Sequence, residues 1–293
     1  MTVFVAVGEE ASFAGGARRL GISAPAATRA IAALETRLGV KLLNRNTRFV
    51  RVTEAGQRYL DDARRIIAEA DAADEAAAGI SAEPRGHLAV TAPVLFGKMF
   101  ILPGILEYLR RHPGMEVSAV FLDRVVNLLE EGFDAGVRIG ELPDSGMNAV
   151  RVGEVRRVVC AAPAYLEQHG TPRTPAELAQ HTVVAATGVT PGVEWKFALD
   201  GALAGVRIKP RLTVNTNDAA MEAARDGYGL TRLMSYQAAA LLASGALVTV
   251  LDEFEPPRLP IHIIHREGRH ASAKLRSFVD LMVSRLRGDP SIY

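Results

Sequence analysis

Cysteine is nearly absent: Cys160 stands alone among 293 residues, which excludes an intramolecular disulfide and a cysteine-rich metal site. Aromatic residues make up 6% of the chain, with one tryptophan, so its cores are expected to be aliphatic and alanine-rich. No run of about 18 apolar residues occurs, which argues against a membrane span. The opening MTVFVAVGEEASF lacks the basic stretch and small-residue cleavage site of a signal peptide. A cytoplasmic protein with no membrane contact is therefore expected. There is no G-x-S-x-G, no phosphate loop and no G-x-G-x-x-G after a strand, so no enzyme activity is expected. His262, His265 and His270 lie near one another, but their spacing fits no standard metal site, and no cofactor is expected. Cys160 reads as a buried small hydrophobe and Trp195 as strand packing.

What the chain does have is charge, unevenly placed. From Arg18 to Arg51 there are eight basic residues against one acid, Glu35, a net of +7, whereas the whole chain carries only +1. The remainder must then sum to −6. A cationic module on a mildly acidic protein is the electrostatic footprint of nucleic-acid binding. The same segment has helical punctuation. Thr2 to Val7 reads as the tail of a helix with Val3, Phe4 and Val7 on its apolar face, its start expected a few residues upstream. Ser12 caps a helix from Phe13 to Leu20. Ser23 caps another with Pro25 in its first turn, closed by Gly39. That second helix turns Ala27, Ile31 and Leu34 inward and Thr28 and Arg29 outward. Gly21 suits the corner between them, with Leu20 and Ile22 as anchors on either side. Leu42 to Asn44 and Phe49 to Val52 read as the strands of a small wing. Together these elements make a winged helix-turn-helix. In that arrangement one helix lies in the major groove while its predecessor braces it. Ser23, Thr28 and Arg29 would face DNA, and Arg45, Arg48 and Arg51 would meet phosphates or the minor groove.

Thr53 caps a long helix running to about Ile80. Its apolar positions Tyr59, Ala63, Ile66, Ala70, Ala73, Ala77 and Ile80 step by four and three, the seam of a coiled-coil dimer; the alternative is a helix lying on its own domain. A short hinge, SAEPR at 81–85, follows. Beyond it strands and helices alternate: strand Leu88–Thr91, helix Lys98–Arg111, strand Val117–Phe121, helix Val125–Glu131, strand Ala135–Ile139. A mostly parallel sheet is expected. A second set begins near Ala161. Thr174, Pro175 and Glu177 form a capping box, and strands follow near Val183, Trp195–Leu199, Val206–Ile208 and Leu212–Val214. A helix from Asp218 to Asp226, a strand Ile261–Ile264 and a helix Ser272–Leu286 complete the pattern.

The runs Ala17-Arg18-Arg19-Leu20-Gly21-Ile22-Ser23, Pro25-Ala26, Arg29-Ala30-Ile31, Leu34-Glu35, Leu38-Gly39-Val40, Leu42-Leu43-Asn44-Arg45 and Thr53-Glu54-Ala55-Gly56 resemble the LysR-type transcriptional regulators. The likeness covers essentially the whole chain and is greatest to the CrgA-type branch. It implies an α+β protein with three parts. These are a winged helix-turn-helix at 1–56, a linker and dimerisation helix at 53–80, and a two-lobed α/β effector domain at 87–293, like type 2 periplasmic binding proteins. Lobe one would hold 87–160 and 262–293, and lobe two 161–261. Among DNA-reading positions the resemblance adds Ala24 and Pro25; Ala24 stands where many members carry a base-reading glutamine. Gly15-Gly16 replaces better helix formers at a local cost.

Ligands in such folds lie where strands end and helices begin. Here those places supply Pro93, Val94, Leu95, Phe96, Arg138, Thr216, Asn217, Asp218 and Tyr228 as effector-binding candidates. Thr216, Asn217 and Asp218 could equally cap a helix, and Phe96 could equally be core. The partners implied are double-stranded operator DNA, a carboxylate or aromatic small-molecule effector, a second copy or three further copies of the chain, and RNA polymerase. The competing class is a solute-binding or small-molecule-processing protein with an incidental N-terminal helical domain.

Overall fold

The structure, a computed structural model, describes residues 1–45, 50–78, 83–142, 146–186, 194–266 and 271–292. Among them the chain divides into two compact units, residues 1–82 and, apart from Ala271–Ala273, residues 83–293.

The first unit opens with α1 (Thr2–Glu9), α2 (Phe13–Arg19) and α3 (Ala24–Leu38). Both expected caps form: Ser12 Oγ accepts from the Gly15 N–H at 3.2 Å and Ser23 Oγ from Ala26 at 3.3 Å. Gly21 adopts φ +65 at the corner, a left-handed conformation that favours glycine. Of its two expected anchors, Leu20 is half-buried but Ile22 is 37% exposed, so the corner rests on the backbone turn and Leu20. Gly16 has a reason the sequence does not show. A Cβ there would lie 2.7 Å from the Val7 backbone, so α1 and α2 approach too closely for any larger residue. Strands β1 (Leu43–Arg45) and β2 (Val50–Val52) pair antiparallel as the wing, with Leu43 opposite Val52. Phe4, Val7, Ala17, Ala27, Ile31, Leu34, Leu42, Leu43 and Leu60 form the core.

Helix α4 (Glu54–Ala78) begins where Thr53 Oγ1 accepts from the Gly56 N–H at 2.9 Å. Its expected seam divides. Tyr59 packs edge-on against Phe4 with centroids 5.5 Å apart, and Ala63 is fully buried. Those two positions are thus covered by their own domain, as in the alternative reading of this helix. Ile66 is 43% exposed and Ala70 is exposed. The side chains of Ala73 and Ala77, residue Ile80 and hinge residues 81–82 lie outside the description.

In the second unit, β3 (Gly86–Ala92) leads into α5 (Val94–Phe96), a π-helical turn Gly97–Ile101 and α6 (Leu102–Arg111). Strands β4 (Met115–Phe121), β5 (Ala135–Ile139) and β6 (Asn148–Val155) follow. The expected helix Val125–Glu131 is absent; this stretch is a series of turns. Asn127 Oδ1 accepts from the N–H groups of Leu129 and Glu130 at 3.1 and 3.4 Å, a local alternative to the helical ladder.

Beyond Arg156 come β7 (Arg157–Ala161), α7 (Pro163–His169), β8 (Val183–Ala186), β9 (Glu194–Leu199), β10 (Ala202–Arg207) and β11 (Pro210–Val214). Then α8 (Asn217–Arg225), β12 (Thr231–Met234), α9 (Ser235–Ala243) and β13 (Val248–Val250) complete the second lobe. The expected capping box is a 3-10 turn, Pro175–Gln180, in which Glu177 accepts from the Arg173 N–H and the Thr174 hydroxyl. The chain returns through β14 (Leu259–His265) to α10 (Ala273–Arg287).

The first lobe holds a five-stranded sheet in the order β4-β3-β5-β14-β6. Strands β4, β3 and β5 run parallel, while β14 is antiparallel to both β5 and β6. The second lobe is less parallel than expected: β12-β7-β13 is wholly antiparallel, β9-β10 is a hairpin, and among the described strands only β8-β11 is a parallel pair. The two faces of β7 bury different clusters. Val159 and Ala161 pack with Trp195 and Phe197, and Val158 and Cys160 with Ala224 and Leu233.

Candidate DNA-reading surface and effector cleft

Glu35 explains how the cationic segment stays cationic at its surface. It is 3% exposed, and its carboxylate accepts from the backbone N–H groups of Leu42 and Leu43 at 2.9 and 3.1 Å and from Lys41 Nζ at 2.8 Å. Burial works against the charged form, but the Lys41 ammonium and the two N–H donors outweigh it and hold the carboxyl below the usual glutamate range. The one acid between Arg18 and Arg51 is thus spent inside, tying the end of α3 to the start of the wing. A second carboxylate, Glu9, joins α1 to its neighbours through Arg19 and Arg64 Nε, the latter at 2.8 Å.

Around this scaffold Ser23, Pro25, Arg29 and Arg51 are exposed, whereas Ala24 and Thr28 are half-buried. Thr28 Oγ1 donates to the Ala24 carbonyl at 3.0 Å, which leaves its oxygen as an acceptor. Ala24 packs partly against the core. The side chain of Arg45 and all of Arg48 lie outside the described residues.

In the second unit, Pro93 and Val94 follow the end of β3, and the Val94 N–H donates to Asp123 Oδ1 at 2.9 Å. Leu95 is buried and Phe96 fully so. Phe96 packs tilted against Phe100 with centroids 4.7 Å apart and meets Tyr236 of the second lobe edge-on at 5.4 Å. Phe96 therefore joins the lobes as packed core. Asp123, which sequence reasoning missed, sits at the same junction. Burial pushes its carboxyl up, the Val94 N–H opposes that, and Asp218 across the junction pushes it further up. Its Oδ2 is buried without a partner among the described residues. The available signal is its position just past β4, a strand end equivalent to that of β3. Tyr236 was missed as well; burial raises its phenol.

Thr216, Asn217 and Asp218 open α8. The Thr216 hydroxyl donates to Asp218, whose Oδ1 also accepts from the Ala219 N–H at 2.9 Å, and Lys98 of the first lobe adds attraction. Together these hold Asp218 below the usual range. Tyr228 is 43% exposed. Arg138 donates to the carbonyls of Val126 and Val137, so its guanidinium braces the 124–131 turns. The structure thus brings Pro93, Val94, Phe96, Asp123, Asp218 and Tyr236 to one junction between the lobes. Cys160 is fully buried, and desolvation pushes its thiol up to about 12.

Comparison with known proteins agrees along the whole length. Residues 1–57 match the profile "Bacterial regulatory helix-turn-helix protein, lysR family" and residues 81–287 the "LysR substrate binding domain". The transcriptional regulator CrgA of Neisseria meningitidis serogroup B is 31% identical over 287 residues, covering 98% of this chain and 96% of its own. A regulator of Xanthomonas campestris pv. campestris is 32% identical over 292 residues, covering 98% and 85%. The CrgA structure superposes with a TM-score of 0.63 at 31% identity, covering 98% of each chain. The full-length Vibrio cholerae virulence activator AphB gives 0.63 at 25% identity, covering 96% and 97%. No helix among the described residues is long and apolar enough to cross a membrane. The chain belongs to the LysR family of transcriptional regulators, with a helix-turn-helix unit that binds DNA and a substrate-type domain that binds an effector.

Proposed function

We propose that the protein reads a dyad-like operator as a dimer joined through α4, with the N-terminal half of α3 in the major groove. Ser23, Ala24, Pro25, Thr28 and Arg29 would face base edges and phosphates there, and Arg45, Arg48 and Arg51 the flanking backbone. The observation that carries this reading is the burial of Glu35, which removes the sole acid from a segment of net +7. A segment whose remaining ionisable side chains are all basic suits a polyanion. The effector is assigned to the junction between the lobes, near Pro93, Val94 and Asp218. The free Oδ2 of Asp123 calls for a ligand that presents an N–H or O–H beside an apolar or aromatic body. Differential affinity for two lobe arrangements would then bias the DNA-binding units.

A gel-shift titration with the DNA upstream of the gene itself tests the central claim. Affinity should exceed that for random duplex and fall steeply between about 50 and 200 mM salt. Arg29→Ala should weaken specific binding by about tenfold, or about 1–3 kcal/mol if the arginine reads a base. Equal affinity for random and upstream DNA would sink the operator reading.

A further inference from the structure

The second lobe half-buries two arginines that no acid among the described residues neutralises. Strands β7 and β12 pair with Arg232 opposite Val159 and Arg157 opposite Met234. Residues two apart on a strand share a face, so both guanidiniums stand on the Val159 face of the sheet, the one that packs against Trp195. The guanidinium carbon of Arg232 lies 5.1 Å from the centroid of the Trp195 ring. Its Nη1 is buried without a hydrogen-bond partner. Among the described residues neither Arg157 nor Arg232 makes a side-chain ion pair or hydrogen bond. The neighbouring Arg156 differs: it pairs with Glu255 at 3.1 Å. Stretch 187–193, which links β8 to β9, contains no Asp or Glu.

Electrostatics point the same way. Burial pushes Arg157 down, and burial followed by repulsion from Arg157 pushes Arg232 down to about 9. Two desolvated like charges with one buried, unsatisfied N–H are unfavourable when left alone. The tryptophan face offsets part of this. A forked oxyanion would satisfy the rest, because a guanidinium presents parallel donors that match a carboxylate.

We propose that Arg157 and Arg232 form a second ligand site, within lobe two, that takes the carboxylate of a small organic acid. The surroundings favour a carboxylate on an apolar body over a mineral anion. Val159, Trp195, Phe197 and Val250 line the same cluster, with Phe254 packed against it, and a strongly hydrated ion gains nothing from such neighbours. This site uses none of the residues assigned to the junction between the lobes and stands independently of that assignment.

Trp195 is the only tryptophan in the chain, so its fluorescence reports on the site directly. The full-length protein is titrated with sodium phenylacetate, and separately with inorganic phosphate, at constant ionic strength maintained with chloride. Phenylacetate should change the emission saturably. In Arg157→Gln, half-saturation should move to at least about tenfold higher concentration, the size expected for one lost charge-assisted contact. If Arg157→Gln loses its far-UV circular dichroism, Arg157→Lys substitutes for it, since it keeps the charge but loses the fork, and the same weakening is expected. Asp123→Asn, which alters only the interlobe junction, should leave the titration unchanged. A response that never saturates, equal half-saturation in wild type and variant, or loss of the response in Asp123→Asn overturns the site. Saturation by phosphate alone overturns the carboxylate assignment.

Discussion

Glu35 shows how much one carboxylate can organise. Its three partners end α3, start the wing and fix Lys41. Glu35→Ala would leave the buried N–H groups of Leu42 and Leu43 without an acceptor, at a cost of about 2 kcal/mol. Glu35→Gln keeps an acceptor and should lose less. The carboxyl is held below its ordinary value of 4.5, so its contribution is fully present above that value and fades as pH falls through the depressed one. The melting-temperature gap between wild type and Glu35→Ala should therefore be widest near neutrality and narrow in acid. A gap that is constant with pH would show that the charge itself contributes nothing. Thr28 illustrates a milder point at this scale. It is half-buried on α3, and its hydroxyl already donates to Ala24, which leaves an acceptor lone pair and a methyl for any outside contact.

At the scale of elements, the apolar stripe of α4 divides. Tyr59 and Ala63 finish the core of the DNA-binding unit, and the stripe leaves that core at Ile66. The heptad pattern was legible because periodicity is written in residue types. The point at which the stripe leaves its own domain was not, because it depends on where α1 ends in space. Ile66→Glu should leave the fold intact and weaken dimerisation by about tenfold or more, given about 1.5–3 kcal/mol for burying such a side chain. Sedimentation or light scattering would check it, and an unchanged mass across dilution would refute the seam. The turns at 124–131 mark another limit of sequence. Val125, Leu128 and Leu129 stand at helical spacing, yet Val125 and Leu129 are exposed while Val126, Leu128 and Phe133 are buried. The competing hydrogen bonds of Asn127 and the Arg124–Glu131 pair settle the backbone instead. Gly15-Gly16 reads as a weak helix in sequence, but Gly16 is where α1 leaves no space, a fact of packing that propensity cannot express. Arg232 could not be singled out either, because its isolation from acids arises only when β7 and β12 pair.

Taken whole, the molecule separates its charges and its cores. The +7 segment occupies one unit, the remaining −6 is spread over the rest, and each unit builds its own interior, where the few aromatics gather: Phe4 in one, Tyr108, Phe96, Trp195 and Phe197 in the other. Strand β6 belongs to one sheet and β7 to the next, so the chain passes between lobes at Arg156, whose carbonyl accepts from Ser235 and whose guanidinium meets Glu255. Within the second lobe, Cys160 lies on the β7 face opposite Val159 and Ala161, fully enclosed. With its thiol pushed up to about 12, roughly one molecule in a hundred thousand carries a thiolate at neutral pH. Iodoacetamide should therefore label the native protein only as fast as the second lobe opens, and quickly once urea unfolds it. Rapid stoichiometric labelling in native buffer would contradict that burial. The lone thiol is thus a natural stopwatch: slower alkylation under added phenylacetate would report, through a different atom, how far a ligand tightens this lobe.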